Sequence, residues 1–268
     1  MHNQVDGRTT SADGVEIAYS HAGSGPVSVL FIHGGLARRA FWTPQLSALG
    51  GTFRMAALDL AGHGESGRNR EHWSIAAFAR DVCAVAGALD LRNLVLVGNS
   101  LGGPVALEAA PRLAGRVIGI VGADTLHAAE QVFPPEEAQA RAAAYRNDFH
   151  GTCAAMCHAL FHPGAHLELQ AWALRIMFAM DQEVVARMME GLAGYDLGAA
   201  FRSAGVPVRA INGDLWPTEI EANRKLAPDF DAVIMRGAGH YPMLERPDEF
   251  NGLLRDLVNG LAARVALG

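Results

Sequence analysis

Short apolar runs alternate with amphipathic stretches along the first half of the chain. Residues 14–20 alternate apolar and polar positions, the period of a half-buried strand. Residues 27–32 form a largely apolar run ending at His33-Gly34-Gly35-Leu36, which predicts a buried strand leading into a glycine-rich loop. A helical stretch is expected over 41–49. Residues 53–58 predict the next strand, followed by a loop rich in turn residues from Asp59 to Ser66. Ser74 suits a helix N-cap, and Ile75, Phe78, Val82, Val85 and Leu89 then fall at helical spacing. Further apolar runs at 93–97 and 116–123 predict buried strands. Strands alternating with helices indicate a largely parallel sheet covered on both faces.

The rhythm breaks after Asp124, and no strand pattern is convincing from Thr125 to about Ala200. Helical segments are predicted near 138–149, 152–160, 167–180 and 183–192, with Pro134-Pro135 marking the first start. Bulky apolar residues such as Met156, Trp172, Met177, Phe178 and Met180 crowd this block, which reads as a helical cap over the sheet. The strand/helix rhythm returns at 206–211 and 232–235. Pro247, with Asp248 and Glu249 behind it, opens a last amphipathic helix. The expected organisation is a core over 1–125, a cap over 126–200 and the rest of the core over 201–268.

Composition narrows the function classes. The chain has 268 residues, half of them hydrophobic, enough for one large domain with an inserted subdomain. A net charge of −6 and no basic block argue against nucleic acid or an anionic membrane surface as the main partner. No apolar run is long enough to span a membrane, and the stretch from Met1 to Gly7 has no apolar leader core. Three cysteines, Cys83, Cys153 and Cys157, make no disulfide framework, so a cytoplasmic location is expected. Cys153, Cys157, His158 and His162 sit at helical spacings, but the pattern reads as apolar packing beside exposed imidazoles. Neither a metal nor a cofactor is expected.

The chemistry centres on Gly98-Asn99-Ser100-Leu101-Gly102-Gly103, between a buried strand and a small-residue helix. A turn this tight brings neighbouring backbone very close, so glycines flank the serine and its hydroxyl is pushed out beside a helix N-terminus. A serine hydroxyl is a poor nucleophile without a base. Among eleven histidines, His240 follows a strand in the glycine-rich loop Gly237-Ala238-Gly239-His240 near the C-terminus. His33 and His63 read instead as residues that hold loops by side-chain hydrogen bonds.

These motifs, in this order, resemble the α/β-hydrolase family: His33-Gly34-Gly35, Asp59-x-x-Gly62-His63-Gly64-x-Ser66, Gly98-x-Ser100-x-Gly102-Gly103, and Gly239-His240 before Glu245-Arg246-Pro247. The resemblance implies an α/β fold with a mostly parallel eight-stranded sheet flanked by helices and a helical cap inserted after the sixth strand. It implies Ser100 as nucleophile, His240 as base and an oxyanion hole of backbone N–H groups. Leu101 supplies one donor; Gly35 is the first choice for the other and Leu36 the second. In most relatives the acid follows the seventh strand, but the matching position here is Trp216. Asp214 lies two residues before it in the same loop. Some relatives place the acid after the sixth strand, where this chain has Asp124. Asp124 is favoured and Asp214 stays open as the alternative.

The expected activity is hydrolysis of a small, largely apolar carboxylic ester, lactone or thioester through an acyl-enzyme on Ser100. Alternatives are a carbon–carbon bond hydrolase acting on a diketone-like substrate and a non-catalytic small-ligand-binding member. The pocket is expected to be apolar and modest in size, with His127, Met156, Trp172, Met177, Met180 and Trp216 as candidate lining residues. A small-molecule substrate is the expected partner, and the chain is expected to act as a monomer or homodimer.

Overall fold

In a computed structural model, which describes residues 4–130 and 132–266, the sheet begins at an edge the hydrophobic pattern does not reveal. β1 (Val5–Thr10) pairs antiparallel with β2 (Glu16–Ala22). β1 reads VDGRTT and is mostly exposed, so no apolar alternation marks it; pairing with β2 alone makes it a strand. Met1 to Asn3, the first residues of the stretch expected to lack an apolar leader core, lie outside the described residues.

The remaining strands are β3 (Ser28–Ile32), β4 (Arg54–Leu58), β5 (Leu94–Asn99), β6 (Val117–Ala123), β7 (Val208–Gly213) and β8 (Asp231–Met235). The eight-stranded sheet runs β1-β2-β4-β3-β5-β6-β7-β8. β2 meets β4 antiparallel, and every pairing from β4 to β8 is parallel. β3 and β5 are buried along their whole length, which explains the apolar runs 29–32 and 94–97 within them.

Register decides where the loops converge. Ile32 pairs with Gly98, Asn99 with Ala123, and Ala123 with Ile211. The carboxyl ends of β3, β5, β6 and β7 therefore finish level. The order also reverses at β3, so the loops after β3 and β5 diverge around a crevice, the usual ligand position in open α/β sheets.

Helices α1 (Thr43–Leu49), α2 (Ile75–Ala88) and α3 (Gly102–Ala109) connect the first parallel strands. Ser74 caps α2 by accepting from the Ala77 N–H. Between β6 and β7 lie α4 (Pro135–Asn147), α5 (Phe149–Leu160), α6 (Leu167–Phe178), α7 (Gln182–Glu190) and α8 (Leu197–Ser203). Aspartates punctuate this helical insertion: Asp148, Asp181 and Asp196 each accept from N–H groups in the first turn of α5, α7 and α8. Asp181 explains why α6 stops at Phe178 rather than running to Met180. α4 packs on α7 and α5 on α6. Cys153, Cys157, Ala173, Met177 and Val185 are buried among them. Helices α9 (Ile220–Leu226), α10 (Pro242–Glu245) and α11 (Pro247–Ala266) complete the fold.

Candidate active site

Ser100 sits at the sharp turn between β5 and α3 with a positive φ of 52°, a conformation costly for a residue with a side chain. The turn closes because its flanks lack Cβ atoms. A Cβ on Gly98 would lie 2.1 Å from the Gly102 carbonyl oxygen, and one on Gly102 would lie 2.4 Å from that of Ile32. The Thr125 hydroxyl donates to the Ser100 carbonyl at 2.7 Å, tying the turn to the loop after β6.

His240 is held through its backbone. Its N–H donates to the Leu160 carbonyl at 2.7 Å, at the end of α5. Its carbonyl accepts from the Asn99 amide at 2.9 Å, and the same amide reaches the Ala123 carbonyl at 2.8 Å. The Glu245 carboxylate gathers the N–H groups of Gly239, Tyr241 and His162 at 3.1, 3.3 and 3.2 Å. The His240 loop is thereby joined to both the sheet and the helical insertion. Burial pushes the Glu245 carboxyl up from its ordinary range, opposed by those donors.

The His240 Nδ1 lies 2.6 Å from Asp124 Oδ2. Asp124 ends β6 with a positive φ of 46° and is 1% exposed. Its other oxygen accepts from the Gly213 N–H at 2.8 Å. Burial works to raise its pKa, but the His240 hydrogen bond and the His127 and His240 imidazoles facing the carboxylate outweigh it and hold the carboxyl below the usual range. Asp214 points elsewhere: both of its oxygens lie 3.0 Å from the Gly237 N–H, so it braces the turn ahead of His240. Trp216 packs edge-on against the His240 ring with centroids 5.6 Å apart.

The histidines of the other motifs hold loops. His33 donates from Nδ1 to the Gly34 carbonyl at 2.7 Å and accepts the Leu60 N–H at 3.0 Å. His63 donates from Nδ1 to the Ala61 carbonyl at 3.0 Å and accepts the Leu36 N–H at 3.3 Å. Burial lowers their pKa values to about 4 and about 3. The Leu36 N–H is thus engaged, whereas those of Gly35 and Leu101 donate to no acceptor among the described residues.

A cavity of about 1020 Å³ opens over these groups, lined by Gly35, Ser100, Leu101, Asp124 and His240 at one end. It is larger than the modest pocket expected, because α4, α5 and α7 arch over the sheet and small residues such as Ala128, Ala144 and Ala155 face it. His127, Met156 and Trp216 line it. Trp172, Met177 and Met180 do not: Met177 is fully buried within the insertion, Trp172 packs on Phe41 at 4.8 Å, and Met180 packs against the core. The sequence reading missed Phe133, Tyr145, Tyr195 and Tyr241, which complete the wall. Of these, only Tyr241 carried a local cue, its place beside His240. Ser100 Oγ makes no hydrogen bond among the described residues, so it opens on the cavity rather than resting on the His240 ring. Among the described residues no group of His, Cys, Asp or Glu could hold a metal ion, and no helix is long and apolar enough to cross a membrane.

A strained serine at a strand-to-helix turn, at the carboxyl edge of a mostly parallel sheet, defines the class of α/β hydrolases. The chain belongs to the alpha/beta hydrolase family, whose model matches residues 29–253. It is similar to a thermophilic esterase from Thermogutta terrifontis, with 26% identity, 97% of this chain and 99% of that one covered, and a TM-score of 0.84. It is also similar to the 2-(acetamidomethylene)succinate hydrolase of Mesorhizobium japonicum, 26% identical over 82% of this chain and 83% of that protein. An uncharacterized protein of Mycobacterium tuberculosis is 38% identical over 108 residues, 39% of this chain, so the chain covers only 31% of that relative's length.

Proposed function

We propose that the chain is a serine hydrolase cleaving a largely apolar carboxylic ester, or a lactone or thioester, through an acyl-enzyme on Ser100. The observation that carries this reading is the 2.6 Å contact of His240 with Asp124 beside the cavity onto which Ser100 opens. In this reading His240 takes the Ser100 proton as the hydroxyl attacks the carbonyl. The Ser100 side chain reaches the ring by rotation about χ1 once substrate is bound, since catalytic hydrogen bonds often tighten only in the complex. Asp124 holds the ring with its proton on Nδ1 and stabilises the imidazolium that forms. The free N–H groups of Gly35 and Leu101 receive the oxyanion. His240 then protonates the leaving group, and water attacks the acyl-enzyme by the same route.

In this reading residues 126–200 serve as a cap between the core segments 1–125 and 201–268, and the substrate is a small molecule met in the cytoplasm by a monomer or homodimer. The similarity to the Thermogutta terrifontis esterase supports ester chemistry. The volume of about 1020 Å³ gives room beyond a short acyl group.

The test is a series of p-nitrophenyl esters of increasing acyl length, together with labelling by a fluorophosphonate probe. The expected result is turnover with a length optimum, labelling at Ser100, and loss of both in Ser100→Ala. Absence of turnover and labelling in the intact, folded protein would sink the reading.

A further inference from the structure

Asp124 faces a second imidazole. His127 Nε2 lies 3.6 Å from Asp124 Oδ1, the oxygen not used by His240. That nitrogen is buried and makes no hydrogen bond among the described residues, although the ring lines the cavity. At 3.6 Å the contact is electrostatic rather than a formed hydrogen bond.

The surrounding hydrogen bonds offer His127 Nδ1 a donor. Asn212 is oriented by its loop: its Oδ1 accepts the Thr125 N–H at 3.1 Å, and its Nδ2 donates to the Thr125 carbonyl at 3.2 Å. The same Nδ2 donates to the Thr218 hydroxyl oxygen at 2.9 Å. That leaves the Thr218 proton to donate to His127 Nδ1, 3.1 Å away. Asn212 Nδ2 also lies 3.4 Å from His127 Nδ1, with its two protons directed at the Thr125 carbonyl and the Thr218 hydroxyl. With Nδ1 accepting, the neutral ring carries its proton on Nε2, directed at Asp124. Trp216 packs edge-on against both rings, with centroids 6.2 Å from His127 and 5.6 Å from His240.

We propose that His127 is a positioning residue, the second imidazole on Asp124, which sets how strongly that carboxylate holds a proton on His240. This inference rests on the serine-hydrolase reading above. Proton density from His127 on Oδ1 draws charge away from Oδ2. Without His127 the charge concentrates toward His240, and the free-base form of the site appears only at higher pH. The titratable groups facing Asp124 are His127 on its own loop and His240 and Tyr241 on the base-bearing loop. Behind Tyr241 stand Tyr145 of α4, Cys157 of α5 and Glu245 of α10. Asp214 is turned onto Gly237.

The experiment measures the rate of Ser100 labelling by a fluorophosphonate against pH in the intact chain, in His127→Phe and in Thr218→Val. The acid limb is expected to move up by about half to one pH unit in His127→Phe, with the plateau rate changed less than about threefold. Thr218→Val, which removes the Nδ1 partner of His127 together with one acceptor of Asn212, is expected to move it the same way and add little in the double variant. Coincident acid limbs in all the proteins would overturn the proposal, as would a loss confined to KM for an ester substrate. If the unsubstituted chain is not labelled, the hydrolase reading fails instead. The inference is then read from the downfield NMR resonance of the proton between His240 and Asp124, expected to move in His127→Phe; an unmoved resonance overturns it.

Discussion

The His240 ring meets Asp124 at 2.6 Å across 116 residues of chain, while Asp214, only 26 positions before His240, is turned onto a neighbouring backbone N–H. Sequence proximity is thus a poor guide to the partner. β6 and β7 are adjacent and parallel, with Ala123 level with Ile211, so the two loops open side by side. What separates them is occupancy: Trp216 fills the space beside the ring on the β7 side, and the Gly213 N–H is spent on the Asp124 carboxylate.

Asp124→Asn removes the charge and leaves the shape. Turnover of a p-nitrophenyl ester is expected to fall on the order of 10³- to 10⁴-fold, the scale seen when a catalytic histidine loses its orienting carboxylate. Asp214→Asn is expected to stay within a few-fold. Steady-state kinetics on the two variants decides the matter, and a larger loss in Asp214→Asn would reverse the assignment.

Glu245 receives N–H groups from the His240 loop and from the insertion at once. Glu245→Ala leaves those donors without their buried acceptor and is expected to lower kcat about tenfold. Amide hydrogen exchange at His162, Gly239 and Tyr241 should accelerate together in this variant. Glu245→Gln keeps one acceptor oxygen and should lie between the two proteins. Unchanged exchange at His162 would mean that the carboxylate does not couple the insertion to the loop.

The elbow tolerates no side chain at Gly98. A methyl there would sit 2.1 Å from the Gly102 carbonyl oxygen, a backbone atom that cannot move without opening the turn. Gly98→Ala is expected to cost about 3 kcal/mol or more, or to prevent folding altogether. Thermal melts of the variant against the unsubstituted chain give the measurement.

Acid should destabilise the fold through His33 and His63. Burial lowers them to about 4 and about 3, whereas an unfolded histidine takes up its proton near 6.5. Their contribution is complete above about pH 6.5 and declines as pH falls toward those lower values. Over that window the unfolded chain binds up to two protons more at these positions than the folded one. Stability is therefore expected to drop by as much as about 3 kcal/mol per pH unit from this pair. Urea midpoints between pH 7 and 5 measure the slope, and His63→Gln should flatten it by about half.

Much of this protein is written locally. Buried strands such as β3 and β5 need largely apolar sequence because both faces are covered, so the alternation with helices could be read directly. The strained serine turn needs glycine on each side, which made Ser100 legible, and a glycine-rich loop after a late strand pointed to His240. β1 was invisible because an edge strand of polar residues is stabilised only by its partner. The cavity wall was half legible, since helical spacing reveals that Met156 and Met177 are apolar but not which faces the void and which the insertion's own interior. That His240 meets Asp124 rather than Asp214, and that the Leu36 N–H is engaged by His63, belonged to the tertiary structure alone. Both depend on where a side chain or N–H points once distant loops are packed together, and direction in space is a property of the fold that residue order does not encode locally.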